Sequence, residues 1–128
     1  MINEELMNKA EEVSKNSYSP YSHFSVGASV LADNGKIYSG CNFENSSYGM
    51  TICAERNAIG SAVADGIKKI KAVAIYSPNQ DLCFPCGACR QVMHEFSDND
   101  NEFDIILKDG DNLVTYKLSQ LLPEGFNL

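Results

Sequence analysis

An α/β fold, a three-layer sandwich in which a mixed five-stranded sheet is flanked by helices, is predicted by three features of the sequence. Two alternating segments meet at Asn34-Gly35, which specifies a hairpin early in the chain. Later apolar runs alternate with helical patterns, which specifies strands linked by helices, and a second turn at Asp109-Gly110 returns the chain towards a last strand. With 128 residues, 44% of them hydrophobic, one compact domain buries an adequate core without disulfide staples, so residues 1–128 read as a single domain.

Each element has its own signal. Leu6, Ala10 and Val13 recur at helical spacing between charged residues, which predicts a first helix over roughly 3–16 with Asn3 as its cap. The run Ser17-Tyr18-Ser19-Pro20-Tyr21-Ser22 breaks it. Phe24, Val26, Ala28 and Val30 then alternate with small polar residues as the first strand, and Lys36-Ile37-Tyr38-Ser39-Gly40 follows the turn as the second. Ala54, Ala58, Ile59, Ala62 and Val63 form a helical pattern that Gly66 ends. Ala72-Val73-Ala74-Ile75-Tyr76 reads as a buried strand. Pro85 precedes a helix carrying Val92, Met93 and Phe96, and Phe103-Asp104-Ile105-Ile106-Leu107 reads as the next strand. Leu113-Val114-Thr115-Tyr116 completes the sheet, and Leu118, Leu121 and Leu122 mark a final helical turn.

Charge and cysteine usage narrow the function. A formal charge of −7 without any basic run disfavours a polyanionic partner, because nucleic-acid binders present lysine and arginine to phosphates. A small, uncharged substrate suits it better. No apolar run reaches membrane-spanning length, and Met1-Ile2-Asn3-Glu4-Glu5 lacks the basic start of a secretory signal, so a cytoplasmic protein is expected. Five cysteines, three of them in two clusters, fit metal binding in a reducing compartment better than a disulfide framework.

Those clusters are Cys53-Ala54-Glu55 and Pro85-Cys86-Gly87-Ala88-Cys89. Three thiolates can hold Zn²⁺ and leave a fourth position for water, with a carboxylate beside it as acid and base, which is the layout of metal-assisted hydrolysis. Cys53 and Glu55 are two apart and converge on one ion only if the helix end faces it. Cys86 and Cys89, three apart at another helix start, allow the same end-on approach. Two helix N-termini would favour thiolate over thiol by on the order of 0.3–1 kcal/mol each. Arg56, three after Cys53, and Arg90, four after Cys86, are spaced to donate to the sulfurs and withdraw negative charge. A helical arginine is more often a solvated surface residue, and it is the repeated spacing that favours the sulfur role. Cys86-Xaa-Xaa-Cys89 alone also fits a structural zinc knuckle or a redox pair, but a structural site wants four protein ligands. Cys41 and Cys83 are the spare thiols and read as small buried hydrophobes, and His23 and His94 as non-ligands.

Nearly the whole chain resembles the small, homotetrameric, zinc-dependent cytidine deaminases. The likeness runs through Tyr18-Ser19-Pro20-Tyr21-Ser22-His23-Phe24-Ser25-Val26-Gly27-Ala28, Gly40-Cys41-Asn42-Phe43-Glu44-Asn45, Cys53-Ala54-Glu55-Arg56, Pro85-Cys86-Gly87-Ala88-Cys89-Arg90-Gln91 and Leu121-Leu122-Pro123-Glu124-Gly125-Phe126. It implies zinc held by Cys53, Cys86 and Cys89, and attack of zinc-activated hydroxide at C4 of cytidine or 2′-deoxycytidine. Glu55 shuttles protons in that scheme, and ammonia leaves to give the uridine nucleoside in pyrimidine salvage. It also implies that Phe24 packs on the base, that Ala54 contacts substrate, and that Asn42 and Glu44 hold sugar hydroxyls. Tyr48 and Phe126 would close the pocket, partly from neighbouring subunits of a homotetramer. An extended Asn42-Phe43-Glu44 would project its amide and carboxylate to one side. Deaminases of other small aminopyrimidines, of a base flipped from nucleic acid, and a non-enzymatic zinc module are the competing readings.

Overall fold

A computed structural model describes residues 1–128. The order along the chain is α1 (Ile2–Ser14), β1 (Gly27–Ala32), β2 (Ile37–Cys41), a 3-10 turn (Tyr48–Met50), α2 (Ala54–Ala64), β3 (Ile70–Tyr76), α3 (Gly87–Glu95), β4 (Asp104–Asp109), β5 (Asn112–Lys117) and α4 (Leu118–Leu121). The five strands form one sheet in the order β2-β1-β3-β4-β5. Only β3 and β4 are parallel, with α3 as their crossover; the other pairs are antiparallel.

Strand alternation divides the sheet between two cores. Val73 and Ile75 join Ala28, Val30, Ile105 and Leu107 against α2 and α3, whereas Ala72, Ala74 and Ile106 meet Leu6, Met7 and Ala10 of α1. The three layers are therefore α1, the sheet, and α2 with α3. Three start and stop signals act where the sequence puts them. Gly35 (φ 87°) and Gly110 (φ 61°) turn the two hairpins, and Gly66 (φ 89°) ends α2, its N–H bonding Val63 O at 3.0 Å.

Several boundaries shift by one to three residues from expectation, and two of the shifts have a cause in the hydrogen bonding. α1 starts at Ile2 with Met1, not Asn3, at its cap, because the Glu5 N–H reaches Met1 O at 3.1 Å and puts Glu4 and Glu5 in the first turn, where the helix dipole favours them. β1 begins at Gly27 rather than Phe24, because the Val26 N–H is taken at 3.0 Å by the Asn42 side chain instead of by a strand neighbour.

Register places the business end of the fold. Gly27, at the start of β1, pairs with Cys41 at the end of β2 and with Tyr76 at the end of β3. The chain leaves both strand ends towards α2 and α3, so both helices begin at the same edge of the sheet. α2 lies directly on the β2 backbone: a Cβ on Gly40 would come within 2.5 Å of the Ala58 nitrogen. Gly40→Ala should therefore push α2 off the sheet and cost about 1–3 kcal/mol, read as a fall in the denaturation midpoint.

Candidate active site

Cys53 is the N-cap of α2 and Cys86 the N-cap of α3, both with extended backbone (φ −71°, ψ 152° and φ −69°, ψ 166°). Cys89 follows on the first turn of α3. Neither helix has a side-chain cap, which leaves its first-turn N–H groups free to face the sulfurs. The three Sγ atoms lie within 4.8 Å of one another, Cys53 to Cys86 at 3.9 Å and Cys86 to Cys89 at 3.4 Å. Sulfurs bound tetrahedrally at a Zn–S distance of ~2.3 Å stand about 3.8 Å apart, so this donor set fits zinc.

Protonation chemistry points the same way. The Cys53 thiol is held down to about 5 by the hydrogen bond from Cys89 and by Arg56, while donating that proton and being buried push Cys89 upward. Neighbouring sulfurs cannot all ionise unaided, and a divalent cation supplies the missing positive charge. Arg56 Nη2 donates to Cys53 Sγ at 3.2 Å, as its spacing suggested. Glu55, on the first turn of α2, is only 5% exposed, and burial is the main cause that raises its carboxyl to about 7, with the Cys53 thiolate adding to it.

A cavity of about 340 Å³ opens over this cluster, within the ~300–1,000 Å³ usual for small-molecule sites. Its lining includes Cys53, Ala54, Glu55 and Cys86 together with Phe24, Asn42 and Glu44. The Asn42–Glu44 segment is extended, tied to Tyr18 on one side (Tyr18 N to Asn42 O 3.1 Å, Glu44 N to Tyr18 O 2.8 Å) and to Ile52 on the other (3.0 and 3.1 Å). Amide and carboxylate consequently face the same cavity. The Asn42 amide is held by Ser17 and by Val26 N–H (3.0 Å), and it donates to Phe24 O at 2.8 Å.

Three expected residues stand elsewhere. Arg90 does not reach sulfur: its Nε and Nη1 donate to Pro85 O (2.8 Å) and Leu121 O (2.9 Å), because carbonyls at the α3 entry and in the last residue of α4 lie within its reach. It ties the C-terminal segment to α3. Tyr48, 74% exposed, lines a neighbouring hollow with Tyr21 and Thr51 and meets the Tyr21 ring edge-on at 5.9 Å. Phe126 is 66% exposed, its backbone held on α3 by the Gln91 amide at 2.9 and 3.1 Å. Within one chain neither covers the cavity.

The sequence reading missed Ser22, Val26, Thr51, Cys83 and Phe84 as wall residues. Cys83 is buried next to Glu55, with its thiol pushed up to about 11 by that burial. Its nearness to Pro85-Cys86 was the available signal. Cys41, Cys83, His23 and His94 stay outside the sulfur cluster, and His94 is engaged by Asp100 (2.5 Å) and Asn127 (3.0 Å). The two arginines should separate in experiment. Arg56→Gln should retain zinc but lower turnover about 10–100-fold, whereas Arg90→Gln should act chiefly on stability, as read by metal analysis, kinetics and thermal unfolding of each variant.

Comparison with known proteins agrees with this geometry. The family model described as "Cytidine and deoxycytidylate deaminase zinc-binding region" matches residues 1–103. A cytidine deaminase of Sporosarcina psychrophila is 43% identical over 124 residues, covering 97% of this chain and 90% of the relative. One of Mycobacterium tuberculosis is 35% identical over 123 residues, covering 96% and 88%. The crystal structure of cytidine deaminase from Burkholderia pseudomallei superposes with a TM-score of 0.89 at 36% identity, covering 98% of this chain and all (100%) of that one. With the family model matched over residues 1–103 and relatives of 35–43% identity matched over nearly the whole chain, the chain belongs to the cytidine and deoxycytidylate deaminase family.

Proposed function

We propose that this protein converts cytidine and 2′-deoxycytidine, with water, to uridine and 2′-deoxyuridine plus ammonia, a pyrimidine-salvage reaction. The observation that carries this reading is the cavity itself, which opens over a cluster of three sulfurs and is lined by a buried glutamate, an amide and a carboxylate. Relatives named cytidine deaminase at 35–43% identity support it.

Cys53, Cys86 and Cys89 would hold zinc, which supplies the Lewis acidity that makes water a nucleophile at neutral pH. Glu55 is the proton carrier. Its burial keeps the neutral and ionised forms close in energy, so it takes a proton from the attacking water, delivers it to N3 of the ring, and then assists ammonia at C4. Arg56 offsets the sulfur charge. Phe24 packs on the base beside Ala54. Asn42 has one amide hydrogen left after its contact with Phe24 O, and Glu44 has acceptor capacity left on Oε2, so the pair suits a sugar hydroxyl that accepts one bond and donates another. The net charge of −7 suits a nucleoside better than a polynucleotide.

Residues 1–128 form one deaminase domain in this reading. No helix is long and apolar enough to cross a membrane, and five free cysteines support a reducing, cytoplasmic location. Assembly is the remaining requirement. Tyr48, Met50 and Phe126 are each more than half exposed, and a homotetramer in which neighbours cover them would also complete the pocket.

Glu55→Gln, which keeps the shape and removes the proton carrier, should lower kcat by about 10²–10⁴-fold with zinc retained, as followed by nucleoside absorbance and metal analysis. Full turnover in that variant would overturn the assigned role. The same substitution carries a pH signature in the metal-free protein. A folded-state carboxyl near 7 binds protons that the unfolded chain releases above ~4.3, so the Glu55 contribution to stability is present at low pH and is lost as pH rises towards 7. Glu55→Gln should therefore be more stable than the parent by on the order of 3–4 kcal/mol at pH 8, and the difference should vanish near pH 4 in denaturant titrations. Light scattering should give four chains per particle, and a monomeric mass of 14.0 kDa would sink the tetramer.

A further inference from the structure

Glu44 is held by more than its place on an extended segment. Its Oε1 accepts the main-chain N–H groups of Tyr21 (3.0 Å) and Ser22 (3.1 Å), and its Oε2 accepts the Ser22 hydroxyl. The Ser22 oxygen in turn accepts the Phe24 N–H at 3.0 Å. An oxygen that receives a hydrogen bond from one side turns its own hydrogen elsewhere, so the Phe24 N–H directs the hydroxyl proton to Glu44. The turn that presents these groups is closed by His23 N–H on Ser19 O (3.0 Å) and has His23 in the left-handed region (φ 57°). A residue bearing a Cβ adopts that conformation where its surroundings hold it there.

Counting acceptor sites gives the consequence. A carboxylate offers about four, two per oxygen. Oε1 is filled by two N–H groups, and the serine takes one on Oε2, which leaves a single site for substrate. The same hydroxyl is the largest influence holding the Glu44 carboxyl below its ordinary range.

We propose that Ser22 is a positioning residue for sugar recognition: its hydroxyl, directed by the Phe24 N–H, fixes the rotation of the Glu44 carboxylate so that one lone pair of Oε2 faces the substrate. Phe24 also lines the cavity, so the loop that supplies the wall beside the base also sets the sugar acceptor. The inference rests on Glu44 acting as the sugar-hydroxyl acceptor.

The test compares kcat/KM for cytidine with that for 2′,3′-dideoxycytidine, which lacks the ring hydroxyls, in the parent, Ser22→Ala, Ser22→Thr and Glu44→Ala proteins. The ratio within each variant cancels losses from folding or metal content. Ser22→Ala should narrow the ratio about ten-fold, chiefly through KM for cytidine, and Ser22→Thr should restore it because the hydroxyl is kept. Glu44→Ala should narrow it at least as far. If Glu44→Ala narrows the ratio and Ser22→Ala does not, the positioning role is overturned while the sugar role of Glu44 stands. If Glu44→Ala leaves the ratio wide, the sugar reading itself fails, and the role of Ser22 with it.

Discussion

Everything in this molecule turns on bringing three sulfurs within 4.8 Å of one another, an arrangement that side-chain charge opposes. Helix N-termini reduce that opposition, and only a sheet in which β2 and β3 end on the same edge puts two of them there. β1 is what makes the edges coincide, since it pairs with β2 on one side and β3 on the other from the same residue, Gly27. The residual repulsion shows in the unequal protons of Cys53 and Cys89, one held low and the other high. A cation resolves it.

The same constraint explains which parts of the site were legible from sequence. Cys53 and Cys86 reveal themselves because N-cap positions are tied to local helix signals: the Ala54, Ala58 and Ala62 spacing on one side, Pro85 on the other. Asn42 and Glu44 follow from the two-residue period of an extended segment. Arg90 did not follow, because helical spacing limits which side chains can meet without deciding between a sulfur and two carbonyls within reach. Whether a guanidinium turns to Cys86 or to Leu121 O depends on α4, whose Leu121 lies 31 residues away in sequence and folds back onto α3. Tyr48 and Phe126 mark a different limit. Their exposure in one chain is a property of the surface, and local spacing carries no record of what would cover it.

Boundary errors have equally local causes. The alternation of Phe24, Val26, Ala28 and Val30 continues through a point where the chain changes partner, from the Asn42 side chain to the neighbouring strands. A hydrophobic period records which side faces inward, and it is blind to which group takes the N–H. That blindness conceals the site's construction, because Phe24 and Val26 are pocket wall for the very reason that they stop being strand.

One cavity thus holds two carboxylates in opposite states. Glu55 is buried among thiols on a helix start and is pushed up to about 7, where giving up and regaining a proton cost little. Glu44, also in the cavity lining, receives three hydrogens from Tyr21 and Ser22, which hold its carboxyl below its ordinary range and favour the anion. Burial makes the first mobile in charge, and hydrogen bonding makes the second immobile in both charge and direction. In the proposed reaction, exchanging the environments would impair both roles: a carboxyl held well below its ordinary range would take a proton from water less readily, and a half-protonated one at Glu44 would alternate between offering a lone pair and offering a hydrogen to the same hydroxyl. The division of labour is set by backbone placement: one carboxylate emerges from a helix that points inward, and the other from an extended strand that a loop has wrapped.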